Sequence, residues 1–100
     1  MADSVVVSCG RVSLEGTAVI VYNSRNKSTR RMHQGESHGF SVPNGQHLRI
    51  ERLGHIPVSI RNDYDRPAFI TQTKPTDVKK KLAAGKNYQL PEKAVLTVST

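Results

Sequence analysis

The feature that most constrains this chain is that one stretch of it occurs twice. Arg30 to Ile50, RRMHQGESHGFSVPNGQHLRI, is answered at Lys80 to Val98 by the shorter KKLAAGKNYQLPEKAVLTV. Both copies open with two basic residues, a long aliphatic, two spacers and a glycine. These are Arg30, Arg31, Met32 and Gly35 in the first, and Lys80, Lys81, Leu82 and Gly85 in the second, a displacement of 50 positions. After a two-residue deletion the displacement becomes 48, setting Phe40, Val42, Pro43, Leu48 and Ile50 against Tyr88, Leu90, Pro91, Leu96 and Val98. At similar spacing Val12 faces Ile60 and Val21 faces Phe69. One hundred residues organised in this way read as one domain, with candidate half-repeats at about 4–51 and 54–99 related by an approximate two-fold. Two hairpins obeying the same turn rules would produce a similar coincidence, so duplication is an expectation.

The rest of the chain is punctuated for short strands. Val5, Val6 and Val7 form a β-branched cluster ending at Cys9-Gly10, and Arg11 to Glu15 alternates with period two. Thr17 to Tyr22 is the most apolar run and the natural central strand, followed by a polar loop over Asn23 to Thr29. Pro43-Asn44-Gly45 has the chemistry of a tight hairpin turn, with His47 to Leu53 as its returning strand. His55 to Arg61 and Ala68 to Thr73 alternate on either side of a turn cluster at Asn62 to Pro67. Thr76 to Gly85 admits a capped helical turn, with Val78 and Leu82 on one face. Tyr88 to Leu90 and Val95 to Ser99 close the chain as strands. About eight to ten strands at this spacing predict an all-β fold, a compact antiparallel β-sandwich or small barrel.

Fifteen Lys and Arg against eight Asp and Glu leave a net charge of +7. That balance points to an anionic partner, whether polysaccharide, nucleic acid or an acidic protein. The basic residues gather at Arg25 to Arg31, on strand faces at Arg49, Arg52 and Arg61, and at Lys74 to Lys86. Arg25, Lys27, Arg30, Arg31, Lys79, Lys80 and Lys81 are the candidate polyanion-binding set, with the polyanion lying between two symmetry-related basic corners. The competing reading is a solvated surface whose lysines keep edge strands from pairing. Stacking of bases would need aromatic platforms. Phe40, Tyr88 and Phe69 occupy apolar strands, leaving Tyr22 and Tyr64.

Catalytic chemistry is poorly supported, and the chain reads as a non-enzyme without a cofactor. It has no phosphate-binding glycine loop and no Gly-x-Ser-x-Gly. Cys9, the single cysteine, excludes an internal disulfide and reads as an inert thiol beside a valine strand. His33, His38, His47 and His55 lie within 23 residues, and His38 and His47 with Glu36 make a weak candidate metal site if the two histidines meet across a hairpin. Pro43-x-Gly45-x-His47 resembles a fragment of the second cupin motif, implying a small metal-dependent cupin-like protein as a lesser alternative. The His-x-His and following glutamate of that motif are missing. Asp63-x-Asp65 lacks the glycine and later glutamate of a calcium loop and reads as a turn.

The N-terminus shows no signal-peptide pattern, and the longest apolar run is four residues, Ala18 to Val21. A cytoplasmic location without a membrane span is therefore expected. The leading expectation is a non-catalytic module presenting a basic surface to an anionic partner. The alternative is a self-assembling subunit whose terminal strands, Val5 to Cys9 or Val95 to Ser99, pair between protomers.

Overall fold

A computed structural model describes residues 3–12 and 16–100. Ten strands are present among them: β1 (Val5–Cys9), β2 (Thr17–Asn23), β3 (Ser28–His33), β4 (Ser37–Phe40), β5 (His47–Arg52), β6 (Val58–Asn62), β7 (Ala68–Lys74), β8 (Val78–Leu82), β9 (Asn87–Gln89) and β10 (Val95–Ser99). They form two antiparallel sheets, one of four strands in the order β4-β1-β6-β9 and one of six in the order β3-β2-β5-β10-β7-β8. The protein is an all-β sandwich, as the strand spacing predicts. No helix among the described residues is long and apolar enough to cross a membrane.

Alternation along each strand supplies the core. Val5, Val7 and Cys9 on β1 and Val58 and Ile60 on β6 point inward from the smaller sheet. Val19, Val21, Leu48, Ile50, Ile70, Leu96 and Val98 meet them from the larger one, and together they form a single buried cluster. Phe40, Met32, Leu82 and Leu90 extend that cluster towards its two sides. Removing this apolar surface from water is the main force holding the two layers together.

Matching β1–β5 with β6–β10 leaves both strand orders unchanged when each is read from the opposite end. The register has the same two-fold form. Val7 opposite Ile60 is the central pair of the smaller sheet, and Arg49 opposite Thr97 that of the larger. Main-chain bonds repeat across it. Cys9 N donates to Glu36 O and Asn62 N to Lys86 O, while Gly10 N donates to Pro57 O and Asp63 N to Ser4 O. Gly35 and Gly85 both have φ of 77°, in turns closed by Glu36 N to His33 O and by Lys86 N to Ala83 O. Such a left-handed backbone is what glycine tolerates best.

Several local expectations are corrected. Pro43-Asn44-Gly45 does not close a hairpin: β4 and β5 lie in different sheets, and the turn, closed by Gln46 N to Pro43 O, carries the chain from one to the other. Thr76 to Gly85 holds strand β8 rather than a helical turn. The ambiguity arose because positions four apart share a face in helix and strand alike, so Val78 and Leu82 fit both. Ser28 and Thr29, expected in a loop, open strand β3, which has a single buried apolar residue, Met32, and so little period to read. The Arg11 to Glu15 strand falls partly outside the described residues. Val12 is not the counterpart of Ile60 in the first half; the two-fold register gives that place to Val7. Val5 to Cys9 and Val95 to Ser99 are inner strands, each bonded on both sides, and neither is available to a second chain.

Candidate anion-binding surface

Arg25 and Lys27 sit in the turn between β2 and β3, Arg30 and Arg31 on β3, and Lys79, Lys80 and Lys81 on β8. Strands β3 and β8 are the two edges of the six-stranded sheet. The two basic groups are therefore separated by four inner strands, about 24 Å at the usual interstrand spacing of about 4.8 Å. The surface joining them is the outer face of that sheet rather than a gap between adjacent corners. All seven side chains are on exposed positions. The ion pairs of the described residues, Arg49–Glu51, His55–Glu92 and Arg61–Asp63, involve none of them.

Laterally paired residues share a face, so the register defines what this surface displays. One row crosses all six strands: Thr29, Tyr22, Arg49, Thr97, Thr71 and Lys79. On one side of it run Arg31, Ile20, Glu51 and Val95, where a break in the β7–β10 register sets Lys74 opposite Val95 and ends the regular row, and on the other His47, Ser99, Phe69 and Lys81. Arg31, Arg49, Lys79 and Lys81 are the cations of the three rows. Their one carboxylate, Glu51, is 3.7 Å from Arg49.

The aromatic side chains are distributed differently from expectation. Phe69, placed by its apolar strand among buried residues, faces outward and is 47% exposed. Tyr22 is half-buried on the same face, its ring centroid 6.5 Å from that of His47. Tyr64, expected to be available, is buried; its Oη accepts the Val42 N–H at 2.6 Å, and Arg66 lies over its ring. Tyr22, His47 and Phe69 thus accompany the four cations. Arg49 and Phe69 were absent from the candidate set, although strict alternation with the apolar residues of β5 and β7 marks both as outward-facing.

Other basic residues have structural partners. Arg52 is buried, donating to Leu90 O at 2.6 Å and His55 O at 3.2 Å, so it joins loops and faces no ligand. Arg61 makes two hydrogen bonds to Asp63, which hold the Asp63 carboxyl below its usual range. That engagement commits the first acid of Asp63-x-Asp65 to a turn.

The histidine set is dispersed. His38 lies on β4, in the smaller sheet, and His47 on β5, in the larger, because the hairpin that would have brought them together is not formed. Glu36 accepts the His33 N–H at 2.7 Å. His55 bonds Glu92 at 3.1 Å, and this lowers the Glu92 pKa. No three His, Cys, Asp or Glu side chains gather into a metal-binding group among the described residues. Cys9 is buried in the core, and loss of water together with nearby Glu36 pushes its pKa up to about 11. It is protonated at neutral pH and unsuited to nucleophilic chemistry.

Compared with known proteins, the chain matches no family model, no curated protein and no solved structure.

Proposed function

We propose that this chain is a non-catalytic binding module that holds an extended polyanion across the outer face of its six-stranded sheet. The observation that carries this reading is the composition of that face: four cations, one carboxylate already paired, and Tyr22, His47 and Phe69 interleaved with them. Charge supplies attraction to phosphate or sulfate groups, and exposed rings supply surfaces on which planar groups stack. Arg25, Lys27, Arg30 and Lys80 lie along the edges and raise the local potential. The same reading takes the two halves as products of a duplication that set one basic edge on each side of a continuous sheet. Lysines on β8 and arginines on β3 also disfavour strand addition from a second copy, which weighs against assembly through those edges.

The test is charge reversal at Arg31, Arg49, Lys79 and Lys81 together, with binding followed by anisotropy of a labelled single-stranded oligonucleotide and of labelled heparin. Loss of both ligands by at least tenfold is expected, with unchanged circular dichroism. Retention of wild-type affinity for both would refute the assignment.

A further inference from the structure

A second basic feature lies on the other side of β3. Arg30 and Arg31 are adjacent on one strand and so project to opposite faces of the sheet. Arg31 belongs to the outer face. Arg30 pairs with buried Val21 and points into the open side of the sandwich, between β3 and β4. A polar cavity of about 450 Å³ lies there, with Arg25, Arg30, Ser28, Thr29, His38 and Phe40 in its wall. None of the residues around it is a carboxylate. The turn that delivers Arg25 is fixed by side chains: Asn23 Oδ1 accepts the Arg25 N–H at 3.0 Å, and Asn26 Oδ1 accepts the Ser28 N–H at 3.2 Å.

The two-fold supplies an internal comparison. By register, Asn23, Arg30, His38 and Phe40 correspond to Gln72, Lys80, Tyr88 and Leu90. In the second half this place is filled. Tyr88 Oη donates to Gln72 Oε1 at 2.7 Å, and Lys80 Nζ stands 6.0 Å from the Tyr88 ring centroid. In the first half the shorter His38 rests its ring edge against Phe40, with centroids 4.7 Å apart, and space is left beside two guanidinium groups. The turn charge has diverged too, since Asp77 stands where the first half has Lys27.

From this geometry we infer that the cavity between β3 and β4 binds a phosphate group, free or as a monoester, held by Arg25 and Arg30. Guanidinium forks match the oxygens of phosphate. The ring of His38 supplies a further donor to a tetrahedral anion, while the Ser28 hydroxyl, donating to Asn26 Oδ1 at 2.6 Å, helps close the turn that places Arg25. The cavity is also larger than one phosphate ion, leaving room for an ester group. This site is separate from the outer face, because the two take different arginines of β3.

The experiment is an amide-resolved NMR titration of the whole chain at constant ionic strength, with inorganic phosphate, glycerol phosphate and acetate as probes. Saturable shifts confined to β3, β4 and the β2–β3 turn are expected with the phosphates, and none with acetate. His38→Tyr, which fills the cavity as Tyr88 fills its counterpart, should weaken phosphate binding at least tenfold with both arginines intact. Arg30→Gln should weaken it by roughly tenfold to a hundredfold, the range for loss of a charged hydrogen bond. Tighter binding of glycerol phosphate would assign the site to an ester, and equal affinities to the free ion. Diffuse, unsaturated shifts over all basic residues, an equal response to acetate, or wild-type binding by His38→Tyr would overturn the inference. Oligonucleotide binding by His38→Tyr separates the two sites: its retention leaves the outer-face reading standing whichever way the phosphate result falls.

Discussion

Individual buried polar groups set the precision of this fold. Asn62 is fully buried and satisfied: its Nδ2 donates to Arg66 O and Leu82 O, and its Oδ1 accepts the Tyr64 N–H. One side chain thereby fixes the β6–β7 turn, the end of β8 and the entry of Tyr64 into the core. Nothing in the sequence distinguishes Asn62 from any turn asparagine, because its value depends on two carbonyls brought from elsewhere. Cys9 is the residue whose environment titrates. Its folded pKa, about 11, lies above the ordinary 9.0, so the folded state holds its proton more tightly than the unfolded chain. Stability from this group is complete below about pH 9 and declines as pH rises through about 11. Chemical denaturation of the wild type and Cys9→Ala across pH 8 to 11.5 should show the stability difference shrinking over that window. A difference independent of pH would contradict the buried-thiol account.

At the scale of elements, strands with a clean period were legible and those without one were not. β5, β7 and β10 bury alternate residues and β2 is the most apolar run of the chain, and the residues of all four were found in the sequence to within one or two positions. The edge strands β3 and β8 present mostly basic residues, since one side of each meets water, and a loop or a helical turn fitted those letters as well. A slip of one residue has the largest consequence. Matching Val21 with Phe69 placed Phe69 inside; the register relates Val21 to Ile70 and turns Phe69 out. Phe40 likewise corresponds to Leu90, so the two-residue difference between the halves lies at Ser41 and Val42, after the strand rather than before it. The two glycine turns give a test at this scale. Gly85→Ala should cost about 1–2 kcal/mol, the left-handed penalty alone, because an added Cβ meets no atom within 4 Å. Gly35→Ala should cost about the same, since the Arg11 Nη2 that its Cβ would meet at 2.7 Å is the far end of an exposed, flexible side chain that can move aside. Urea unfolding of both variants measures the two losses, and a loss for Gly35→Ala well above that for Gly85→Ala would show that Arg11 is held against the turn.

For the molecule as a whole, the candidate surface exists only because the strand order separates the halves. Runs at Arg30-Arg31 and Lys79-Lys80-Lys81 were visible in the sequence, but their distance was not: β5 and β10 meet at the centre and push β3 and β8 to opposite edges. That order turns two basic clusters into the ends of one face, with Arg49 between them. The most direct measurement of the central claim is the salt dependence of single-stranded oligonucleotide affinity for the wild-type chain. Four cationic contacts predict a slope of log affinity against log salt of about −3, at about 0.7 per contact. A slope near that value, flattened by the four-residue charge reversal, is the expected result. Binding that does not respond to salt, or no binding at low salt, would contradict the assignment of this face to a polyanion.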